Sequence, residues 1–147
     1  MQKKRSGWRT VLYVIAGAII LFGLIQLIPF GKNHVNPPVV QEPNWDSPET
    51  RSLAKTACFD CHSNETNYPW YASVAPASWL LQLDIDEGRR NMNFSDWGNY
   101  SLSATEIAKV VQDGKMPPFQ YTIIHKNANL DQTQRDQLIQ GLEASLK

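Results

Sequence analysis

Cys58-Phe59-Asp60-Cys61-His62 holds the only two cysteines of the chain and sets a histidine directly after the second. A C-x-x-C-H run is the attachment pattern of c-type haem. Two thiols separated by two residues reach two haem vinyl groups from one tight turn, and the next residue offers an imidazole, a common haem-iron ligand. Other chemistries use a C-x-x-C pair. A thioredoxin-like dithiol belongs beside a βαβ pattern, and none is visible. A structural disulfide suits an extracytoplasmic segment. A closed zinc site needs four ligands, and there is no second C-x-x-C. The adjacent His62 favours one covalent haem c.

Upstream, Val11–Phe30 reads VLYVIAGAIILFGLIQLIPF, with no charged residue and Gln26 its only strongly polar member. About 20 apolar residues span a bilayer core as a helix. Lys3, Lys4, Arg5 and Arg9 precede the run and no acid occurs before Glu42. The basic flank predicts a cytoplasmic N-terminus and an exported remainder. A cleaved signal peptide has a shorter apolar core and a small-x-small exit; Leu27 to Asn33 lacks one, so the reading is an uncleaved anchor. The predicted organisation is a basic N-terminus (1–9), a transmembrane signal anchor (10–30), a Pro-rich linker (31–47) and a haem-binding domain (48–147). That places the domain on the periplasmic side of a bacterial inner membrane. The linker reads as an extended tether holding its cargo off the membrane, with His34 a solvated member.

The formal charge is zero, but four of the 14 basic residues lie in the first nine positions, so the chain beyond residue 30 carries −4. That field gives no footprint for nucleic acid and suits encounter with a basic protein surface.

Helix signals dominate the rest. Ser47 or Asp46 caps a helix with Pro48 at its first position, leading through Leu53 and Ala57 into the cysteines. Pro76 opens another, to about Met92, with Trp79, Leu80 and Leu83 as its apolar stripe. Ser103–Glu106 and Asp131–Gln134 are capping boxes, and Gly114 is placed for a left-handed helix stop. No alternating strand follows residue 47. The expected class is all-α.

Several residues are candidates for the haem surroundings. Tyr68, Trp70 and Tyr71 could wall a macrocycle or be ordinary aromatic packing. Arg89 or Arg90 could pair with a propionate or lie on a solvated helix face. For the second iron ligand the candidates are Met116, Met92, His125 and His34. Met92 reads as packing. Met116 is preferred because Lys115-Met116-Pro117-Pro118 presents its thioether from a stiff loop; His125 is the runner-up.

The order helix, C-x-x-C-H, helices, Met-Pro-Pro loop, terminal helix resembles a class I cytochrome c. CFDCHSNET, YPWYASVAP, SWLLQLDIDEGR, NFSDWG and KMPPFQYTIIH resemble, more narrowly, a bacterial haem-binding domain family of small membrane-anchored c-type proteins, over about residues 45–145. The resemblance implies one haem attached at Cys58 and Cys61 and ligated by His62, and, by likeness to class I cytochromes, Met116 as distal ligand. The long Trp-rich span between His62 and Met116 departs from a compact class I cytochrome. The expected role is single-electron transfer with redox proteins in or near the membrane, with no catalytic residue assigned. The alternatives are a haem enzyme or gas sensor with an open sixth site, and a haem-bearing subunit of a larger membrane complex.

Overall fold

With no proline before Pro29 and no charge after Arg9, the N-terminal run winds into one long helix, α1 (Lys3–Ile25). The computed structural model describes residues 3–100 and 102–146; Met1, Gln2, Ser101 and Lys147, and the side chains of the basic residues Lys3, Lys4 and Arg5, lie outside what is described. Within α1, Gly7–Ile25 has mean hydropathy 2.0 over 19 residues, none of it buried. At 1.5 Å per residue this is about 28 Å, close to a bilayer core. Such a helix is either a signal sequence or an anchor, which points to an exported or membrane protein.

Among the described residues six further α-helices follow: α2 (Pro48–Ala57), α3 (Phe59–His62), α4 (Ala77–Asn91), α5 (Ala104–Gln112), α6 (Phe119–Ile124) and α7 (Gln132–Ser145). No strand occurs among the described residues, only one isolated bridge between Gln41 and Asp96. The caps fall where the sequence sets them. Ser47 accepts from the Thr50 N–H at the start of α2. Both capping boxes form, at α5 and α7. Gly114 takes φ +67° just past α5, a conformation that costs glycine nothing.

The chain forms two units, one of residues up to His34 with Pro69–Leu83, the other of Val35–Tyr68 with Asp84 onward. In the first, the Gln26 amide clasps the backbone of Ala75. Its Nε2 donates to the Ala75 carbonyl at 2.9 Å, and the Ala75 N–H donates to Oε1 at 2.8 Å. Gly31 sits at φ +73°, where a Cβ would stand 2.3 Å from the Ser78 carbonyl oxygen. His34, read as a solvated residue, instead places Nε2 3.0 Å from the Ala72 carbonyl.

The second unit packs α2 and α5 on α7 around Ala54, Phe59, Met92, Phe94, Ile107, Val111, Leu138 and Leu142. Gly141 lets α2 and α7 meet closely, since a Cβ there would lie 2.0 Å from Thr50 Oγ1. Trp45 packs 5.3 Å from Phe94, which stacks on Phe59 at 5.4 Å. The segment before α2 is therefore not a loose tether. Val40 and Gln41 N–H donate to the Ser95 carbonyl, Trp97 N–H donates to that of Gln41, and Asn36 Nδ2 donates to that of Thr66. Prolines keep the stretch extended, and packing of half-buried Trp45 on the core fastens its end.

Glu42 holds Arg51 through two hydrogen bonds of 2.7 and 2.6 Å and accepts a third from Trp45 Nε1. The Arg51 bonds lead in holding the Glu42 carboxyl below its ordinary value, against the cost of burial. Because the folded value is the lower one, Glu42 stabilises the fold above the unfolded-state pKa, about 4.3, and that contribution is lost as pH falls through the folded value. Glu42→Gln is expected to flatten the acid limb of a stability–pH curve while leaving the shape above about pH 6 unchanged. Parallel acid limbs in urea melts of the two proteins would show that Glu42 contributes nothing there.

Candidate haem site

α2 ends at Cys58, whose φ of −125° breaks the helix, and the chain re-enters one helical turn as α3. Cys61 and His62 N–H both donate to the Cys58 carbonyl. Cys58, Cys61 and His62 are thus i, i+3 and i+4 on one turn, the spacing that shares a face. Both sulfurs are unpaired thiols. Burial pushes Cys58 and Cys61 up to about 12, with Asp84 and Asp60 adding to the effect at Cys61. A working dithiol needs the opposite, a thiol held low, so the redox-dithiol reading loses support.

His62 Nδ1 lies 3.1 Å from the Met92 carbonyl oxygen. A carbonyl only accepts, so Nδ1 carries the proton and Nε2 keeps its lone pair; a backbone partner of this kind fixes the tautomer of a metal-binding histidine. Burial lowers the His62 pKa, which favours the neutral ligand form. The carbonyl is itself held. Phe94 N–H donates to the His62 carbonyl at 2.8 Å, Asn93 Nδ2 donates to Asn64 Oδ1, and Ser95 Oγ accepts from Asn64 N–H. These asparagines and the serine are buried. Nothing in the sequence marks them, because polar residues in a loop carry no periodic signal.

Cys58, His62 and Met116 line one cavity of about 240 Å³. Its walls are Met92, Phe94, Leu102, Ile107, Val110, Val111 and Leu142, with Asn91 and Glu106. Met116 enters from the loop after α5, where the N–H groups of Lys115 and Met116 both donate to the Val110 carbonyl. It is 37 % exposed, and Leu102, Asn91 and Glu106 on the same wall are exposed too, so the cavity is open to solvent on this side. Two thiols, a neutral imidazole of fixed tautomer, a thioether and an apolar wall are the donor set and lining that suit a haem. Cys61 is not on the cavity wall. It lies under Gly88 of α4, where a Cβ would come 2.4 Å from the Cys61 carbonyl oxygen and 2.9 Å from its carbon. Gly88→Ala therefore forces α4 off the motif. Helix propensity favours alanine by about 1 kcal/mol, but overpacking costs about 1–3 kcal/mol, so a lower denaturation midpoint is expected; a raised midpoint would mean the approach has slack.

Other candidates stand elsewhere. Arg89 donates from Nε to the Ser63 carbonyl, and from Nη2 to Asn36 Oδ1 and Thr66 Oγ1; it clamps the loop after the motif and is not on the cavity wall. Tyr68 is half-buried in that loop and also off the wall. Trp70 belongs to the first unit, 82 % exposed and edge-on to Tyr71. His125, the runner-up ligand, stacks on Tyr121 with centroids 4.2 Å apart and lines a different cavity with Asp60 and Lys55. Met92, buried at 7 % exposure, fills the core as expected and adds its carbonyl to the site. Leu80 and Leu83, expected as the packed stripe of α4, are exposed; Ser78, Ile85 and Gly88 form its buried face.

An all-helical unit with such a cavity describes a haem-binding module. The chain belongs to the haem-binding domain family, whose model matches residues 20–144. The match begins inside α1, so it extends beyond the 45–145 of the motif resemblance and takes in the strapped segment. No curated protein and no solved structure matches the chain.

Proposed function

We propose that the chain is a membrane-anchored c-type monohaem cytochrome that passes single electrons between proteins at the membrane. The observation that carries the reading is the shared cavity of Cys58, His62 and Met116. Cys58 and Cys61 would hold the haem through thioethers, and His62 and Met116 would bind its iron. A haem so bound supplies a one-electron iron couple. The chain's part is to fix the imidazole through the Met92 carbonyl, to exclude water along the α5 and α7 walls, and to leave an opening at Met116.

Besides Cys58 and His62, the one titratable residue among the cavity's lining is Glu106. Its Oε2 accepts from the N–H and Oγ of Ser103, so it is occupied as a helix cap. That favours an electron carrier over an enzyme needing a general acid or base. The basic residues in the first turns of α1 support retention of the N-terminus in the cytoplasm and export of the rest, and the −4 charge beyond residue 30 suits a basic redox partner.

The test is the full chain from a bacterial cell competent in cytochrome maturation. It should carry one haem by mass, titrate as a single one-electron couple, and keep a low-spin spectrum under carbon monoxide. A high-spin resting spectrum with prompt carbon monoxide binding would replace electron transfer by an open-site enzyme or sensor.

A further inference from the structure

Pro69–Leu83 contains no Asp, Glu, Lys or Arg, and the charge-free stretch ends only at Asp84. Ala72, Ala75 and Ser78 are buried, but its largest apolar side chains are not: Trp70 is 82 %, Leu80 63 % and Leu83 53 % exposed. Single exposed apolar residues are ordinary on a soluble surface. Here they are grouped in one uncharged stretch, and that stretch is tied to the end of α1. Gln26, the residue after α1, engages both backbone polar groups of Ala75. Gly31 brings backbone against backbone at Ser78. These contacts set Pro69–Leu83 at the level where α1 ends.

If α1 crosses the bilayer, that level is known. Its apolar length of about 28 Å reaches the edge of a hydrocarbon core of about 30 Å, and Ala75 then stands at the lipid–water boundary. Tryptophan concentrates at this depth because its ring is apolar and its N–H polar. Leu27, 78 % exposed, extends the apolar surface from the helix side. Lys32 donates from Nζ to the Gln26 carbonyl, so a cation sits at the helix exit, where headgroup phosphates lie. Neither segment of this unit holds an acidic residue, which suits an anionic lipid surface.

We propose that Pro69–Leu83 is a second membrane contact, with Trp70, Leu80 and Leu83 seated in the headgroup layer beside the exit of α1. The inference rests on the reading of α1 as a retained anchor. It gives this unit two points of membrane contact, a helix through the bilayer and an uncharged segment on it.

Photo-crosslinking of the full chain tests this. Leu24, Trp70 and Leu80 are replaced one at a time by benzoylphenylalanine, in nanodiscs of phosphatidylcholine and phosphatidylglycerol. Each variant is irradiated and weighed, with helix content checked beforehand by circular dichroism. Lipid adducts at all three positions are expected. A lipid adduct at Leu24 with none at Trp70 and Leu80, or with only chain-to-chain adducts there, overturns the second contact and leaves the anchor standing. No lipid adduct at Leu24 removes the anchor itself, and the second contact with it.

Discussion

A Cys58→Ser, Cys61→Ser double variant is expected to leave no haem stain on a denaturing gel, whereas the parent chain stains at its own mass. The expectation follows from the local backbone. One helical turn presents positions 58, 61 and 62 on one face, and the chain has no other cysteine with which to make a thioether. Each single variant keeps one possible link, so reduced but surviving stain is expected from both. His62→Ala acts differently. It removes the imidazole whose Nδ1–H is held by Met92, and the low-spin spectrum is expected to vanish. Replacing Asn93 by alanine strips a hydrogen bond from buried Asn64, at about 1–3 kcal/mol for an orphaned polar group, and loosens the same imidazole from behind. Stain persisting in the double cysteine variant would end the covalent reading, whatever the spectrum shows.

The parts of this fold that the sequence discloses are those with local physics. Helix starts were legible because capping is a contact between a side chain and a backbone three residues on, as at Ser47, Ser103 and Asp131. The turn that presents Cys58, Cys61 and His62 together was legible because it is local. What escaped depends on distant partners. α6 has no side-chain cap and contains β-branched Thr122, Ile123 and Ile124, poor helix formers; Tyr121, which donates to Asp60, helps hold it. On α4, Trp79 is half-buried while Leu80 and Leu83 stay exposed, and the close approach of the motif backbone admits nothing larger than Gly88 on the buried side. Arg89 reads as a propionate partner until the acceptors at Ser63, Asn36 and Thr66 are in view. The extended strap before α2 looked like a linker because prolines dominate it, and its partners lie some 50 residues away at Ser95 and Trp97.

Met116→Ala is expected to convert the protein without unfolding it. Met116 is 37 % exposed and lies outside the buried core cluster, so its truncation is expected to cost well below the 2–5 kcal/mol of a buried methionine. It lines the cavity shared with Cys58 and His62 and brings a thioether to it from the loop after α5. The oxidised parent should show the weak charge-transfer band of sulfur ligation toward the near infrared, and the variant should lack it. Methionine–histidine ligation raises the reduction potential, and axial ligands together span about 0.8 V, so the variant's midpoint should fall by a measurable part of that range. His125→Ala is the matched control: its ring is stacked on Tyr121 beside a different cavity, and band and potential should both survive. If the band survives Met116→Ala, Met116 is not the distal ligand. If His125→Ala changes the low-spin spectrum, the loop carrying His125 rearranges when haem is attached, and the distal ligand is an imidazole. The two variants therefore separate a methionine-ligated carrier from a lower-potential bis-histidine one, and they do so in the oxidised spectrum before any partner protein is identified.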